Sequence, residues 1–329
     1  MPRSLAFEIL SAIAEVGRAK AEARLAQHAH HAHHDDGDDD NRSEAEDEIE
    51  FEVEDFDRIE LSGPYDVEIE TGGQAEVRAS GPEWALDALT VEIEEGCLSI
   101  SCDGDCDGVV EITISTPKLR SLRMSGSGDV TIDELEGDLF ECASSGSGDL
   151  SIDEIQAARI TLSAAGSGDV RVDRIRGDEL EARLMGSGDL SVDSIESAEF
   201  SLTINGSADA RIDEYSGEQF RAVLTGSGDL ALDSLEAKSV ECSLFGSGDF
   251  AVDEGSAKTA KLETSGSGDI GAGDLEVEEA NVSVCGSGDV SICATKRAEV
   301  SVMGSGDVTV TGGAKCTVRG NGSGEVHCS

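Results

Sequence analysis

The chain has 329 residues, of which 70 are Asp or Glu and 24 are Lys or Arg, giving a formal net charge of −46 at pH 7. Nucleic acids and anionic membrane surfaces are themselves negatively charged, so this balance argues against both as partners. No apolar run approaches the ~18 residues of a membrane-spanning helix, and we expect no membrane span.

Composition also limits the kind of core that the chain can build. Hydrophobic residues make up 38% of the chain, but aromatic residues only 3%, and there are 39 Gly. This composition favours a stack of thin aliphatic layers over one thick globular core. So many acidic residues repel one another unless salt or bound cations screen them. Because Lys is scarce as well, we expect a protein adapted to high salt.

Residues 1–34 are predicted to form an amphipathic helix ending in a histidine tract, because Leu5, Ile9, Ile13 and Val16 follow helical spacing. Two histidines four residues apart on a helix could chelate a divalent transition metal such as zinc, nickel or copper. A solvated polar tract is the alternative. The candidate metal ligands are His28, His30, His31, His33 and His34.

The same segment does not resemble a secretory signal peptide, since Glu8 and Glu15 interrupt its apolar part. We therefore expect a cytoplasmic protein. The chain has nine cysteines, an odd number, and without a signal peptide the default expectation is that their thiols are reduced. Cys142 and Cys242 in particular are expected to lie too far apart to bond.

Residues 35–50 are predicted to be a disordered linker, since ten of the sixteen are acidic. Residues 51–125 are predicted to form an N-terminal β region with degenerate coils. One such coil is indicated by SGPYDVEI at 62–69, which aligns without gaps on SGSGDVTI at 125–132.

An Asp-rich segment, CDGDCDG at 102–108, resembles the opening of a calcium-binding EF-hand loop. The twelfth loop position requires a bidentate Glu, but Ile114 occupies it, so we interpret the segment as a turn. Its two cysteines could instead bind a soft metal.

From Gly126 onward the chain repeats the motif Gly-Ser-Gly-Asp, first every 20 residues and finally every 18. Apolar residues take mainly the odd positions of each copy, a period of two that belongs to strands. Such a copy suits one coil of a β-solenoid stacked on identical coils. A meander of hairpins is the alternative, although it does not require equal spacing. Residues 126–329 are therefore predicted to form a regular β-helix, with Val130, Leu150 and Val170 stacked directly on one another.

The repeated motif supplies the candidate site residues. Its first and third residues are expected to point inward, where glycine relieves crowding or permits unusual backbone angles. The aspartates should form one column, each carboxylate accepting backbone N–H bonds at its turn or sharing calcium ions. A second acidic column should run from Asp133 to Asp253. The repeat-turn residues are Gly126, Asp129, Gly146, Asp149, Gly166, Asp169, Gly186, Asp189, Gly226, Asp229, Gly246, Asp249, Gly266, Asp269, Gly286, Asp289, Gly304 and Asp307.

The order of several segments over residues 51–329 resembles a known family. FDRIELSGPYDVEIETG, LTVEIEEGCLSI and EITISTPKLRSLRMSGSGDV precede the serial GSGD copies, which end in GSGDVTVTGGAKCTVRGNGSGEV. This order is similar to the GIN-type head domain of auto-transporter adhesins. The resemblance implies an all-β, right-handed, single-stranded parallel β-helix of about 20-residue coils, here preceded by an N-terminal α-helix. It also implies an adhesin at the cell surface with no enzymatic role.

The sequence thus predicts a non-enzymatic β-helix that presents a repetitive acidic surface to a protein or glycan. Every copy carries the same acids, whereas a glycan-cleaving enzyme needs catalytic carboxylates at one special place. Two other functions are open. One is a bactofilin-like cytoskeletal scaffold that associates end to end into filaments, and the other is a calcium-binding acidic solenoid. A monomer is expected for the first function, and end-to-end self-association for the scaffold.

Overall fold

The computed structural model describes residues 47–102 and 110–329. The predicted N-terminal helix, the histidine tract His28–His34 and most of the acidic linker lie outside these residues. So do the three aspartates of the segment CDGDCDG.

Strands make up most of the described chain. The helix α1 covers Glu83–Leu86. The strands are β1 (Asp47–Phe51), β2 (Arg58–Gly63), β3 (Asp66–Thr71), β4 (Glu76–Gly81), β5 (Leu89–Glu94), β6 (Cys97–Cys102), β7 (Glu111–Thr116), β8 (Ser121–Gly126), β9 (Val130–Ser144), β10 (Leu150–Ala164), β11 (Val170–Leu184), β12 (Leu190–Gly206), β13 (Ala210–Gly226), β14 (Leu230–Glu236), β15 (Ser239–Gly246), β16 (Phe250–Gly266), β17 (Ile270–Val284), β18 (Val290–Val302), β19 (Val308–Thr311), β20 (Lys315–Gly320) and β21 (Val326–Cys328).

The strands from β9 onward form a stack of parallel coils. Each residue faces the residue 20 positions later in the next coil, so Leu150 pairs with both Val130 and Val170. A register shift between β17 and β18 absorbs the change to an 18-residue repeat. The predicted β-solenoid with vertically stacked copies is therefore confirmed.

The core is a narrow column of inward-facing side chains, one layer for each coil. Leu150 is 1% exposed, and the residues stacked above and below it are similarly buried. Burying one such aliphatic side chain contributes about 1.5–3 kcal/mol. Aromatic rings concentrate in the middle of the stack, where Phe200, Tyr215 and Phe220 lie with ring centroids 5.4–5.8 Å apart.

The first coils are stacked in an order that differs from their order in the chain. The coil formed by β2 and β3 lies between two others: β6 and β7 pair with it on one side, and β8 and β9 on the other. Gly63 faces Gly126 and Val67 faces Val130. The alignment of 62–69 on 125–132 is therefore confirmed as one coil lying on another.

Antiparallel strands close the amino-terminal end of the stack. β5 pairs with β6, β4 pairs with β7, and β1 pairs in turn with β4. The strand β1 begins at Asp47, because Ile49 and Phe51 alternate with acidic residues and pack against the core. Residues 47–50 therefore form a strand and not the end of a linker.

The carboxyl-terminal end has a different construction. β20 pairs with β18 and β21 with β19, and neither pairs with a further strand among the described residues. A disulfide joins Cys316 of β20 to Cys328 of β21. Cys316 stacks on Ala298 and Cys328 on Val310, both buried, so the disulfide occupies the last inward-facing layer.

This disulfide corrects the expectation that the thiols are reduced, and Cys102 is disulfide-bonded as well. Cys142 and Cys242, by contrast, are separate free thiols buried in the core. The prediction failed at the ends because the repeat relates cysteines in equivalent positions, whereas the terminal disulfide joins two different columns of one coil.

Candidate interaction surface: the repeat turn and its acidic columns

Each repeat turn places an aspartate on the surface directly above the aspartate of the preceding coil. The column comprises Asp66, Asp129, Asp149, Asp169, Asp189, Asp209, Asp229, Asp249, Asp269, Asp289, Asp307 and Glu325. We call this row the turn column. All of its side chains are exposed to solvent.

One carboxylate oxygen of each aspartate in the turn column holds the next coil in place. The backbone N–H of Asp149 donates to Oδ1 of Asp129 at 2.8 Å, and the same bond recurs along the column at 2.7–2.9 Å. In return, the N–H of Val130 donates to the carbonyl oxygen of Asp149 at 2.9 Å. Two neighbouring coils are thus joined by a reciprocal pair of hydrogen bonds at every turn.

From the sequence, each carboxylate was expected to accept a backbone N–H at its turn or to share a cation. The structure instead places the donor in the following coil. Hydrogen bonds to a charged acceptor contribute about 1.5–3 kcal/mol when well formed, and less when they are exposed to water as here. Sequence periodicity alone contains no signal for this choice of donor, since both arrangements require the same residue at the same spacing.

The two glycines of the motif are required by the close approach of neighbouring coils. A Cβ on Gly166 would lie 1.8 Å from the carbonyl oxygen of Gly146, and one on Gly148 would lie 2.0 Å from that of Gly128. These distances are far below van der Waals contact. The predicted crowding therefore comes from the backbone of the adjacent coil.

The backbone angle adds a further requirement at the first glycine of some copies. At Gly206 φ is +140° and at Gly226 it is +130°, values that L side chains rarely adopt. The third position is less strict, since Ala208 occupies it and is fully buried.

Tyr65 replaces the third glycine in the degenerate first copy. Its hydroxyl donates to the carbonyl oxygen of Ile100 at 2.6 Å and accepts the N–H of Ser62 at 3.0 Å. Burial raises the pKa of this phenol to about 12. The ring fills the space beside Gly63, where a Cβ would lie 2.2 Å from it, so this turn is a structural anchor of the first coil.

The second acidic column is neutralised in part by arginines. Arg171 lies 3.3 Å from Asp173 and 3.1 Å from Asp193, and therefore links two coils. Arg211 bridges the next two members of the column in the same way, at 3.2 Å and 2.7 Å. The remaining members, Asp133, Asp153 and Asp253, form no ion pair with any described residue. The sequence signal for these bridges is an arginine two positions before the aspartate in alternate copies.

Residues 47–102 and 110–329 contain no group of three or more His, Cys, Asp or Glu side chains arranged to hold a metal ion. The predicted histidine ligands lie outside those residues, so both metal sites stay predictions. No helix in the described part of the chain is long and apolar enough to cross a membrane.

Comparison with solved structures finds several proteins with low sequence identity to this chain. One called a "putative adhesin", from Bacteroides fragilis, is 18% identical over 88% of this chain and 99% of its own, with a TM-score of 0.32. A second "putative adhesin", from Parabacteroides merdae, is 17% identical over 86% and 96%, with a TM-score of 0.39. A "putative lipid binding protein" from Parabacteroides distasonis is 20% identical over 86% and 96%, with a TM-score of 0.32.

A comparison with the curated proteins finds no match. The family comparison is more specific. The family model described as "Putative auto-transporter adhesin, head GIN domain" matches residues 55–216 and 202–314, which together span most of the chain and nearly all of the solenoid. The chain therefore belongs to the auto-transporter adhesin head GIN domain family.

Proposed function

We propose that this protein is a non-enzymatic, adhesin-head-like β-solenoid that uses its acidic columns to bind a protein or glycan. The family and the solenoid fold support an adhesin-like role. The observation that carries the finer proposal is the turn column, in which one carboxylate oxygen of each aspartate accepts an N–H of the next coil. The other oxygen of each residue is then available to a ligand at every coil.

The spacing of the column determines what kind of ligand it would suit. Neighbouring carboxylates repeat at about the strand separation of 4.8 Å. A ligand that offers a series of hydroxyl groups or cationic side chains could contact several coils at once, and binding at several points increases overall affinity without strengthening any single contact. The acids are repeated in all regular copies, which supports a binding array over a single catalytic site.

A charge-removal variant tests the proposal. Asp189→Asn, Asp209→Asn and Asp229→Asn together keep an oxygen that accepts the N–H of the next coil but remove three charges from the turn column. A matched control removes three charges elsewhere on the coils, by Asp138→Asn, Asp178→Asn and Glu199→Gln.

Both variants and the wild type would be applied to a printed array of neutral and amino-sugar glycans and to an immobilised basic protein. We expect wild-type binding on one of the two surfaces, at least a severalfold loss in the turn-column variant, and little change in the control. Equal binding by all three proteins would contradict the proposal. So would an absence of binding by the wild type at a salt concentration at which it is folded.

We also propose that the protein is located at the cell surface, in keeping with the family's adhesin description. The alternative expected from the sequence is the cytoplasm. Labelling of intact cells with a membrane-impermeant thiol reagent separates the two, because Cys285 is exposed on the solenoid. Labelling only after lysis would contradict a surface location.

A further inference from the structure

The lysines of this chain are concentrated on one face of the later coils of the solenoid. The chain contains seven lysines, and five of them lie between residues 238 and 315. All five are exposed, and the coils that carry them follow one another in the stack. They are Lys238, Lys258, Lys261, Lys296 and Lys315.

The surface around these lysines differs in charge from the same surface of the preceding coils. We call it the lysine face, and it covers residues 238–243, 258–263, 278–283, 296–301 and 314–319. These segments contain seven basic and five acidic residues. The equivalent segments of the preceding coils contain three basic and seven acidic residues, and they are 138–143, 158–163, 178–183, 198–203 and 218–223. Because both groups of coils stack in the same way, packing alone does not explain the lysines.

Several cations of the lysine face have no acidic partner. Lys258, Lys315 and Arg319 form no ion pair with any described residue, although the chain contains 70 acidic residues. Lys261 donates to Glu241 of the preceding coil. An ammonium group has three N–H donors, so Lys261 retains two for another partner and Lys258 retains all three.

A shallow groove of about 340 Å³ lies on the lysine face. Its lining comes from four successive coils and includes the cations Lys261 and Arg297. Ser239, Thr259 and Asn281 line the groove as well. The side chains of these three polar residues form no hydrogen bond with any residue that the structure describes. The groove therefore offers both charged and neutral polar groups to a ligand.

The core beneath the groove gives a physical reason for its concave shape. Phe200 and Phe220 fill one inward-facing column in the middle of the stack, and Val240, Ala260 and Ala280 continue that column under the groove. A sheet that packs on smaller side chains can lie closer to the axis of the solenoid. The groove is thus formed by the strands themselves and does not depend on a loop.

We propose that the lysine face binds an anionic glycan, a chain of sugars that carry carboxylate or sulfate groups. The anionic groups pair with Lys258, Lys261 and Arg297, and charge-assisted hydrogen bonds of this kind are the stronger ones. Sugar hydroxyls bond to the polar groups between them, such as the amide of Asn281. Because these contacts are distributed over four coils, several weak contacts act together. This site is separate from the acidic columns and has the opposite charge preference.

The carboxylates of the groove favour a sugar over an acidic peptide. Glu241, Glu279 and Glu299 line the groove beside the cations. A sugar hydroxyl can donate a hydrogen bond to such a carboxylate. An acidic peptide would instead bring its own carboxylates against them, and like charges across an interface are unfavourable.

The net charge of −46 acts on such a ligand mainly at long range. At ~1 M salt the Debye length is about 3 Å, so the distant carboxylates of the chain are screened from the ligand. Hydrogen-bonded ions lie within that distance and are affected less. A short anionic glycan can therefore contact the lysine face although the rest of the chain repels it.

Binding of defined hexasaccharides to the full-length chain tests the proposal. The anionic probes are a hexamer of galacturonic acid and sulfated maltohexaose, and unmodified maltohexaose is the neutral control. A peptide of six glutamates tests the alternative ligand class. Affinity is measured by isothermal titration calorimetry at the lowest salt concentration at which circular dichroism shows a folded protein. A chelator is present, so that divalent cations cannot bridge a probe to the acidic columns.

Two variants remove charges from the lysine face. One carries Lys258→Gln with Lys261→Gln, and the other carries Lys258→Gln with Lys315→Gln, which leaves the ion pairs of the face in place. The matched control, Lys118→Gln with Arg159→Gln, removes the same number of charges elsewhere. We expect the wild type and the control to bind an anionic hexasaccharide more tightly than maltohexaose. Each lysine-face variant should bind it about tenfold more weakly, because charge-assisted hydrogen bonds are lost.

Four results would overturn the proposal. The first is a wild type that binds neither anionic probe more tightly than maltohexaose. The second is equal affinity of the control and of the folded lysine-face variants. The third is a control as impaired as those variants, which indicates a general effect of charge. The fourth is tighter binding of the glutamate peptide than of both anionic sugars, which indicates an acidic protein as the ligand.

The same measurement separates this site from the acidic columns. The turn-column variant with Asp189→Asn, Asp209→Asn and Asp229→Asn should bind the anionic probe at least as tightly as the wild type, because it retains the lysine face. Failure of one proposal therefore leaves the other to be judged by its own variant. A loss of anionic-glycan binding in the turn-column variant would contradict the assignment of this ligand to the lysine face.

Discussion

Glycine begins every repeat turn because a carbonyl group of the preceding coil occupies the place of a side chain. The reciprocal hydrogen bonds of the turn column draw the two backbones together at this point. A larger residue would therefore disturb both the packing of the turn and the bonds between the coils.

Substitution at this position should destabilise the solenoid. In Gly166→Ala the new Cβ would lie 1.8 Å from the carbonyl oxygen of Gly146, and relief of such a clash costs about 2 kcal/mol or more. Denaturant unfolding at fixed salt measures the loss. Gly137→Ala is the control, since its nearest neighbour would be the carbonyl oxygen of Leu139 at 3.8 Å. The explanation is wrong if the two variants are equally stable.

The buried thiols should be unreactive in the folded protein. Burial raises the pKa of Cys142 to about 12 and raises the pKa of Cys242 further. Because the folded protein keeps these thiols protonated, the unfolded chain loses their protons at a lower pH. The free energy of unfolding should therefore be unaffected by these thiols below the ordinary thiol pKa and should decrease as pH rises above it. A thiol reagent at mildly alkaline pH should modify the exposed Cys285 first and reach the other two only after unfolding. Equal rates for all three would contradict their burial, with Cys285→Ser as the control for assigning the fast phase.

At the scale of the strand and its turn, the acidic residues have two separable roles. The turn column joins coils through backbone N–H bonds, whereas the second column is held partly by Arg171 and Arg211. Since each aspartate of the turn column already accepts a backbone N–H, we expect the column to be stable without a bound cation.

Calcium should therefore have little specific effect on folding. Thermal unfolding with calcium and with chelator, at the same ionic strength, is expected to give coincident midpoints. A large rise in the midpoint with calcium and not with magnesium would show that the carboxylates share bound ions, as in the alternative function of a calcium-binding solenoid.

Several elements could be predicted from the sequence because the repeat relates neighbouring coils directly. The equal spacing of Val130, Leu150 and Val170 is sufficient to predict that they stack. The partner of the turn aspartates could not be predicted, since a donor in the same turn and a donor in the next coil require the same pattern. The antiparallel strands β4 and β5 carry no repeat, and their pairing depends on contacts between distant segments that local alternation does not specify.

For the whole molecule, the dominant electrostatic feature is self-repulsion. At low salt the many uncompensated carboxylates repel one another, while at ~1 M salt the Debye length is about 3 Å and neighbouring charges are largely screened. The midpoint of thermal unfolding should therefore rise markedly as sodium chloride is increased from low to molar concentration. A midpoint independent of salt would contradict adaptation to high salt.

The second acidic column supplies a matched pair of variants for this prediction. Removing three unpaired charges, by Asp133→Asn, Asp153→Asn and Asp253→Asn, should raise the midpoint at low salt and reduce its salt dependence. Removing three charges that contact arginine, by Asp173→Asn, Asp193→Asn and Asp233→Asn, should raise the low-salt midpoint less, because ion pairs are lost at the same time.

The insertion of the β2–β3 coil between two later segments has a consequence for folding during synthesis. From β9 onward, each new coil can pair with the coil that precedes it in the chain. Adding one coil to the stack therefore needs only about 20 newly synthesised residues. The first coil, formed by β2 and β3, is enclosed only when residues 97–116 pack on one side of it and residues 121–132 on the other. The ribosome must therefore release more than twice the length of a regular coil before the first coil is enclosed. Closing these longer loops has a higher entropic cost than adding one regular coil. We therefore expect enclosure of the first coil to require more released chain than the addition of any later coil.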